Sequence, residues 1–373
     1  MPVAEIARVP KGASVDPGTD IAMDAGTFSG DIRKPAVIPV HRATHDWQPL
    51  AGASLLERLR VTGRPRLKAD PELRRELREG LESGIRCQSP GKPTGGPDVD
   101  TASCLSAPVL VTKDRLTGVL ACEAHYVAGE FGERPPTLAM ACGALMDVLF
   151  RQLITVGGID DPLVDGLAAL QIDDRQDDLA SWIERLSGAD RIELRTELER
   201  QVQGLHRRWP RLEPAWLPRT QEAMRVGLAG GAVRLSARVD LAIGTPPEGE
   251  ASVALVEIKA GARRVEHRAD LHFYALVEAL RSPAPPFVVA TYYTRTGELD
   301  VDPVTEELLV AAARRTAAGA RALWNLARGA EPRRSPSYLC GRCVLLPDCE
   351  PGRTRPARPG AGRARRPEGR ATG

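Results

Sequence analysis

Apolar and polar residues alternate along two neighbouring segments in the second half of the chain, and this pattern predicts two adjacent β-strands. From residue 233 to residue 243 every second position is apolar, and Asp240 lies among the polar positions between them. After a turn rich in Gly and Pro, residues 252–259 form a second β-rich run. Glu257 and Lys259 are two positions apart in this run, so both side chains face the same side of the predicted strand.

These two strands would bring two carboxylates and an ammonium group together. Asp240, Glu257 and the main-chain carbonyl of Ile258 offer hard oxygen ligands, which suit magnesium or manganese. Such an ion polarises a phosphodiester and lowers the pKa of a bound water, while Lys259 would orient that water or stabilise charge on the phosphate. The chain has six lysines against 45 arginines, so a lysine here indicates a need for a compact ammonium group. The alternative is a salt bridge on an edge strand, because the D…E-x-K pattern is short and degenerate.

The periodicity of the remaining sequence predicts an α/β fold with helices packed on a mixed sheet. A strand is predicted for PPFVVATYYT, after a helix that contains Tyr274. Helices are predicted for residues 53–66, 70–84, 116–122, 137–156, 221–228 and 303–328, and residues 160–205 are predicted to be helical and acidic.

Composition divides the 373 residues into three regions. Residues 1–107 are rich in Gly, Pro, Asp and Thr and are predicted to be flexible, residues 108–350 form the predicted folded domain, and residues 351–373 are a basic tail predicted to be disordered. We find no apolar run of about 18 residues and no signal-peptide pattern, so we expect a cytoplasmic protein that is not bound to a membrane. A G-x4-GK[ST] phosphate loop is also absent, so any helicase motor would be a separate partner.

Three of the seven cysteines are closely spaced and predict a thiolate metal site. Cys340, Cys343 and Cys349 follow a C-x2-C-x5-C pattern, which leaves a fourth ligand to be found. The candidates are Cys87, Cys104, Cys122 and Cys142, of which Cys122 at a predicted helix end is favoured. Four thiolates suit either a structural zinc ion or an iron–sulfur cluster, and spacing does not choose between them.

Taken in order, these motifs resemble those of the PD-(D/E)XK nucleases, and more narrowly the RecB/AddB-like exonuclease branch that carries an iron–sulfur cluster. The motifs are a cysteine in L-x-x-V-L-x-C, then D, then E-x-K, then a helix with a tyrosine, then C-x2-C-x5-C. The resemblance spans residues 109–350 and implies a restriction-endonuclease-like core with a helical insertion and a cysteine-cluster clamp. It implies a Mg- or Mn-dependent exonuclease that acts on DNA single strands or ends in repair, recombination or defence.

The resemblance also implies a role for individual residues. Asp240 and Glu257 would bind metal, Lys259 would be catalytic, and Tyr274 would contact DNA or support the catalytic site. Arg238 and Asp270 are further candidates for contact with the nucleic acid. The four thiol ligands of a 4Fe-4S cluster would be Cys122, Cys340, Cys343 and Cys349.

The chain departs from the family pattern at two positions. Asp147 stands where the family often has a metal-binding histidine, and a carboxylate there would still bind magnesium or manganese. Asp270 replaces the glutamine of the family's Q-x3-Y helix, where it would bind metal-linked water or repel DNA.

Two other functions stay open from the sequence. The first is a DNA-binding or scaffold module with a degenerate site, and the second is a zinc-stapled α/β enzyme that acts on another phosphate ester.

Overall fold

The structure is a computed structural model that describes residues 66–86, 108–130, 135–172, 176–244 and 249–354. The predicted helix at 53–66, most of the predicted flexible N-terminal region, Cys87, Cys104 and nearly all of the basic tail lie outside the described residues.

The described residues form a six-stranded mixed sheet whose central strand is β3. The strands are β1 (Val109–Val111), β2 (Arg219–Leu228), β3 (Val233–Ile243), β4 (Ala254–Lys259), β5 (Val288–Tyr293) and β6 (Glu298–Pro303). β2 runs antiparallel to β3 along almost its whole length, and on the far side β5 is parallel to β4 and antiparallel to β6. The mixed α/β architecture predicted from the order of elements is therefore confirmed.

Two short pairings share the second edge of β3 and leave a gap between them. β1 pairs in parallel with residues 233–235 of β3, and β4 pairs antiparallel with residues 241–243. Because β1 runs with β3 and β4 runs against it, the carboxyl ends of β1 and β4 point towards each other. Residues 236–240 of β3 have no strand partner on this edge, and the gap is five residues long.

Helices cover both faces of the sheet. They are α1 (Pro71–Arg86), α2 (Lys113–Ala121), α3 (Glu123–Glu130), α4 (Leu138–Thr155), α5 (Pro162–Gln171), α6 (Asp177–Glu184), α7 (Gly188–Arg208), α8 (Val265–Arg281), α9 (Glu306–Ala327) and α10 (Glu350–Arg353). Several begin at a Ser, Thr or Asp whose side chain accepts a main-chain N–H of the first turn, as expected at helix N-caps. The predicted helices at 70–84 and 137–156 correspond to α1 and α4.

The alternation of side chains on the strands divides the interior into two cores. One core lies between the sheet and α1, α2, α8 and α9, and it includes Leu77 and Leu81 of α1, so part of the region before residue 107 packs on the folded domain. The other core lies between the sheet and α4–α7, and it receives Val256 and Ile258 of β4. Glu257, between these two, faces the first core instead.

The structure differs from the sequence prediction at three elements. Residues 221–228 are strand and not helix, because Met224, Val226 and Leu228 are buried and the residues between them are exposed. β6 was not predicted. The helix predicted from residue 303 begins at Glu306, because the Thr305 hydroxyl caps it by accepting the Leu308 N–H at 3.2 Å.

One helix, α4, is long and apolar enough to cross a membrane by length and composition alone. Eight of its residues are buried, and all eight belong to the second core. The same composition is expected of a helix that packs inside a folded protein.

Candidate active site

The gap between β1 and β4 contains the predicted carboxylates. Strand pairing between β3 and β4 ends at Leu241 and Val256, so the Ile258 N–H finds no carbonyl on β3. It donates instead to Asp240 Oδ2 at 2.8 Å. Asp240 thus replaces a ladder hydrogen bond with a side-chain bond at the point where the two strands separate.

Glu257 is held by two ammonium groups on one of its two oxygens. Lys259 Nζ donates to Glu257 Oε1 at 2.6 Å, and Lys113 Nζ donates to the same atom. Lys113 follows β1 directly and is the first residue of α2, so it reaches Glu257 across the gap. The sequence analysis did not identify Lys113, and its only signal was that lysine is rare in this chain.

The second oxygen of Glu257 is a buried polar atom with no hydrogen-bond partner among the described residues. The residue is only 2% exposed. A buried carboxylate oxygen without a partner is costly, so its position indicates a place for a cation that the described residues do not supply.

A second cluster adjoins Glu257 and consists of Asp147, Asp240 and Gln221. Gln221 Nε2 donates to Asp147 Oδ1 at 2.8 Å and to Asp240 Oδ1 at 3.3 Å. Asp147 projects from the middle of α4 and Asp240 from β3, so the amide joins a helix to the sheet. Gln221 was also missed by the sequence analysis, because residues 221–228 were predicted to be helical.

The negative charge of each of these three carboxylates disfavours the ionised form of its neighbours. Burial raises the pKa of Asp240 well above its ordinary value, and the charges of Glu257 and Asp147 raise it further. Burial likewise raises the pKa of Asp147. Burial also acts to raise the pKa of Glu257, but the Lys113 and Lys259 charges outweigh it and lower that pKa. Negative charges crowded in a buried place are what a divalent cation would stabilise.

The residues predicted from the family's tyrosine helix lie on the other side of Lys113. Tyr274 is 2% exposed, and the Lys113 ammonium lies 5.3 Å from the centre of its ring. Burial, and then the nearby Glu257 charge, raise the pKa of the Tyr274 hydroxyl, so it remains a proton donor.

Asp270 is tied into a hydrogen-bonded chain within the fold. It is 8% exposed and accepts a hydrogen bond from the Thr117 hydroxyl at 3.1 Å. Thr117 in turn accepts from Arg315 Nη2 of α9 at 3.0 Å. Asp270 is therefore linked to the interior through α2 and α9.

Two further predicted residues lie nearby. Arg238 is exposed on β3 and shares the face of Asp240, two positions along the strand. Ile258 lies on β4 opposite Tyr292 of β5, and its main-chain N–H is the group that contacts Asp240. Metal binding by its carbonyl stays a prediction.

The four cysteines of the predicted clamp line one small cavity of about 10 Å³, together with Gly352 and a mixture of apolar and polar residues that includes His125. Main-chain N–H groups point at two of the sulfurs, from Ser335 to Cys122 Sγ at 3.4 Å and from Ser337 to Cys340 Sγ at 3.2 Å. A Cβ added at Gly352 would lie 3.1 Å from Leu346 Cδ1 and 3.2 Å from Cys349 Sγ, so a larger residue there would crowd this wall of the cavity. Cys142 is buried in the second core, away from this cavity.

Neither cluster is a closed metal cage as it stands. Within the described ranges, no three His, Cys, Asp or Glu side chains are arranged to hold an ion. In the carboxylate site the reason is visible, because ammonium and amide groups occupy oxygens of Glu257, Asp147 and Asp240. The donor set nevertheless fits magnesium or manganese, since the Glu257 Oε2 atom is free to bind.

Carboxylates and lysines grouped at a gap in a mixed sheet define a nuclease-type core. The sequence model of the PD-(D/E)XK nuclease superfamily matches residues 114–350, and the chain belongs to that superfamily. Members of this superfamily are hydrolytic nucleases that generally use magnesium or manganese.

No curated protein matches the chain. Among solved structures, a candidate exonuclease from Eubacterium rectale is 12% identical with a TM-score of 0.35, and the match covers 72% of this chain and 96% of that one. The protein SSO0001 is also 12% identical with a TM-score of 0.23, over 64% of this chain and 95% of that one. Neither likeness carries an argument about activity.

Proposed function

We propose that this protein is a divalent-metal-dependent nuclease that hydrolyses phosphodiester bonds of DNA, with a preference for single strands or free ends. The order of its motifs supports a place in the RecB/AddB-like exonuclease branch, which acts in repair, recombination or defence. A separate helicase or repair partner would supply the strands.

The observation that carries the proposal is the state of Glu257. Its carboxylate is buried beside two other carboxylates, it is held by two lysines through one oxygen, and its second oxygen has no described partner. A purely structural ion pair would satisfy both oxygens. An open oxygen next to Asp240 and Asp147 is what a cation-binding site requires.

Each side chain has a role that follows from its position. Asp240, Glu257 and Asp147 would hold the ion, which when bound polarises the phosphodiester and supplies an activated water. Lys259, already within hydrogen-bond distance of Glu257, would orient that water or neutralise charge on the phosphate.

Tyr274 and Lys113 complete the site. The buried Tyr274 hydroxyl would donate to the nucleic acid or support the ammonium of Lys113 beside it. The exposed Arg238 would contact the DNA backbone near Asp240.

The test is cleavage of end-labelled DNA with magnesium or manganese, using linear single strands, linear duplex and circular single strands. We expect linear DNA to be degraded and circular DNA to be spared if free ends are required. Glu257→Gln keeps the size and hydrogen-bonding shape of the side chain but removes the charge, and should lower cleavage by about 10³-fold or more.

Glu250→Gln is the matched control, because Glu250 is an exposed carboxylate in the segment that joins β3 to β4. It should cleave like the wild type. Equal cleavage by the wild type and Glu257→Gln would reject the nuclease assignment.

We propose further that Cys122, Cys340, Cys343 and Cys349 bind a metal group that clamps the end of the domain to α2. Two main-chain N–H groups directed at the sulfurs support this, since thiolate ligands are commonly stabilised in that way. The motif order favours a 4Fe-4S cluster, whereas a cavity of about 10 Å³ is nearer the size of one ion.

Anaerobic purification separates the two occupants. A brown protein with visible charge-transfer absorption and about four iron atoms per chain would establish the cluster. A colourless protein with one zinc per chain would reject it, and a protein with neither would reject the clamp.

A second function is favoured by one observation. The position of the family's glutamine is occupied by Asp270, which is bound to Thr117 inside the fold and adds a negative charge near the site. A catalytically degenerate DNA-binding module would bind labelled DNA without cutting it under any metal, and its binding would weaken steeply with salt.

A further inference from the structure

Gln221 has a backbone conformation that strands do not normally contain. Its φ is +53°, in the left-handed region that costs a non-glycine residue free energy. Its neighbours pair regularly with β3, Thr220 with Leu241 and Glu222 with Val239, but Gln221 itself has no ladder partner opposite Asp240. The strand therefore has a local irregularity at the one position that faces the site.

The other two non-glycine residues with positive φ among the described residues have ordinary explanations. Leu217, with φ +48°, ends a 3₁₀ turn. Ala229, with φ +49°, begins the tight turn between β2 and β3. Gln221 lies inside a strand, where no turn requires such a conformation, so another cause must maintain it.

The side chain supplies that cause. Gln221 Nε2 donates to Asp147 Oδ1 at 2.8 Å and to Asp240 Oδ1 at 3.3 Å, so one amide group joins the two carboxylates. Only the nitrogen end of the amide can donate, which fixes its orientation against two acceptors. Asp147 comes from α4 and Asp240 from β3, and the Gln221 amide bridges these two side chains beside a direct hydrogen bond between their carboxyl groups.

We propose that Gln221 is a positioning residue that holds Asp147 beside Asp240, so that both carboxylates face one divalent cation. The strained backbone is what directs the amide into the gap. This inference rests on the proposed metal-dependent function and deepens it, because it names the group that arranges the ligands before the ion binds.

The test exploits the strain. In Gln221→Gly the left-handed conformation becomes free of strain, but the two hydrogen bonds of the amide to buried carboxylates are lost, so we expect the two effects on the melting temperature to oppose each other and the net change to be about 2 °C or less. Without the amide, Asp147 is free to turn towards Arg151, whose charge already acts on it. The affinity for Mn²⁺, measured by equilibrium titration without DNA, should then fall about 10-fold or more.

Ala229→Gly is the matched control. It relieves the same kind of strain at the opposite end of β2, eight residues from Gln221, or roughly 26 Å along the strand. Because it removes no side-chain hydrogen bond, it should raise the melting temperature slightly and leave Mn²⁺ affinity unchanged. Gln221→Asn serves as the second variant, since asparagine tolerates the left-handed region but is one methylene shorter, and it should also bind Mn²⁺ more weakly.

Mn²⁺ affinity equal to or above that of the wild type in both Gln221 variants would overturn the inference. Asp240→Asn separates the two hypotheses, because it should abolish Mn²⁺ binding whatever Gln221 does. A wild-type protein that binds no Mn²⁺ at all would instead reject the proposed function.

Discussion

The carboxylate site and the cysteine cavity are both predicted to bind metal, yet the protein builds them differently. The carboxylates project from two strands and a helix of the core, and each has polar partners that hold it. Three of the four cysteines lie on short turns near the end of the described chain, where most side chains are only half buried. The first site has a shape maintained by the fold, whereas the second has a shape that a bound group would have to maintain.

This difference shows which interactions stabilise each site in the absence of a bound ion. In the carboxylate site two lysines and an amide offset the negative charge before any ion arrives, so the fold should tolerate loss of the ion. In the cysteine cavity the chain has little core of its own, so the ion would contribute directly to folding.

The largest expected effect is on catalysis. Lys259→Met should lower DNA cleavage by about 10²–10³-fold with the melting temperature changed little, because Lys113 still pairs with Glu257. Single-turnover cleavage and thermal melting of one preparation measure both quantities. Lys68→Met, which removes an exposed lysine far along the chain, should match the wild type. Normal DNA cleavage by the Lys259→Met protein would show that Lys259 has no catalytic role in the carboxylate site.

The next expected effect, at the cysteine cavity, is on the stability of the protein and not on DNA cleavage. Replacing Cys340 and Cys349 together by serine should remove the bound metal group and lower the melting temperature by on the order of 5–10 °C. The protein that stays folded should still cleave DNA. Cys142→Ser, at a thiol in the second core, should leave metal content unchanged. Normal stability after loss of both thiols would show that the two sites do not differ in the way described.

A smaller effect should appear in the metal affinity of the carboxylate site. Lys113 donates to the Glu257 oxygen that an ion could also use, so Lys113→Met should tighten Mn²⁺ binding by about 3- to 10-fold in a titration without DNA. Lys113→Arg keeps the charge and should bind Mn²⁺ as the wild type does. Weaker Mn²⁺ binding by the methionine variant would mean that Lys113 supports the ion instead of standing in for it.

The smallest effect concerns the link between the two regions. Glu123 accepts hydrogen bonds from the Arg333 main chain and side chain, which ties the segment before the cysteines to α3. Burial acts to raise the pKa of Glu123, but Arg333 outweighs it and lowers the pKa below the ordinary 4.5. Its contribution to stability is therefore present above pH 4.5 and is lost as the pH falls through the lower, folded-state value.

Glu123→Gln should consequently lower the melting temperature by about 1–2 °C at pH 7, and the difference from the wild type should shrink towards pH 4. Arg333 is largely exposed, so 0.5 M salt should also reduce the difference. A difference that stays constant with pH would show that the contact is not electrostatic.

Local sequence patterns were sufficient to predict the three strands β3, β4 and β5 and the tyrosine helix. β3, β4 and β5 and the helix with Tyr274 each follow from alternation or from helical spacing within one segment. The alternation on β3 and β4 and the chemistry of the side chains then led to Asp240, Glu257 and Lys259, which the structure brings to one gap.

What the sequence could not provide is contact between distant segments. Lys113 is 144 residues from Glu257, and nothing in its own neighbourhood marks it as a partner. Gln221 was hidden for a different reason, because a short amphipathic run can be read with either period and the strand irregularity has no local signature.

The arrangement of β1 and β4 end to end along one edge of β3 also limits how the chain can vary. β1 and β4 each end before they would meet, so the width of the gap between them changes in steps of one residue. One residue inserted at the end of β1 would advance Lys113 by about 3.3 Å and turn its side chain to the opposite face of the sheet. Insertions between helices would leave the gap unchanged. A change in the length of β1 or β4 would instead change the width of the gap.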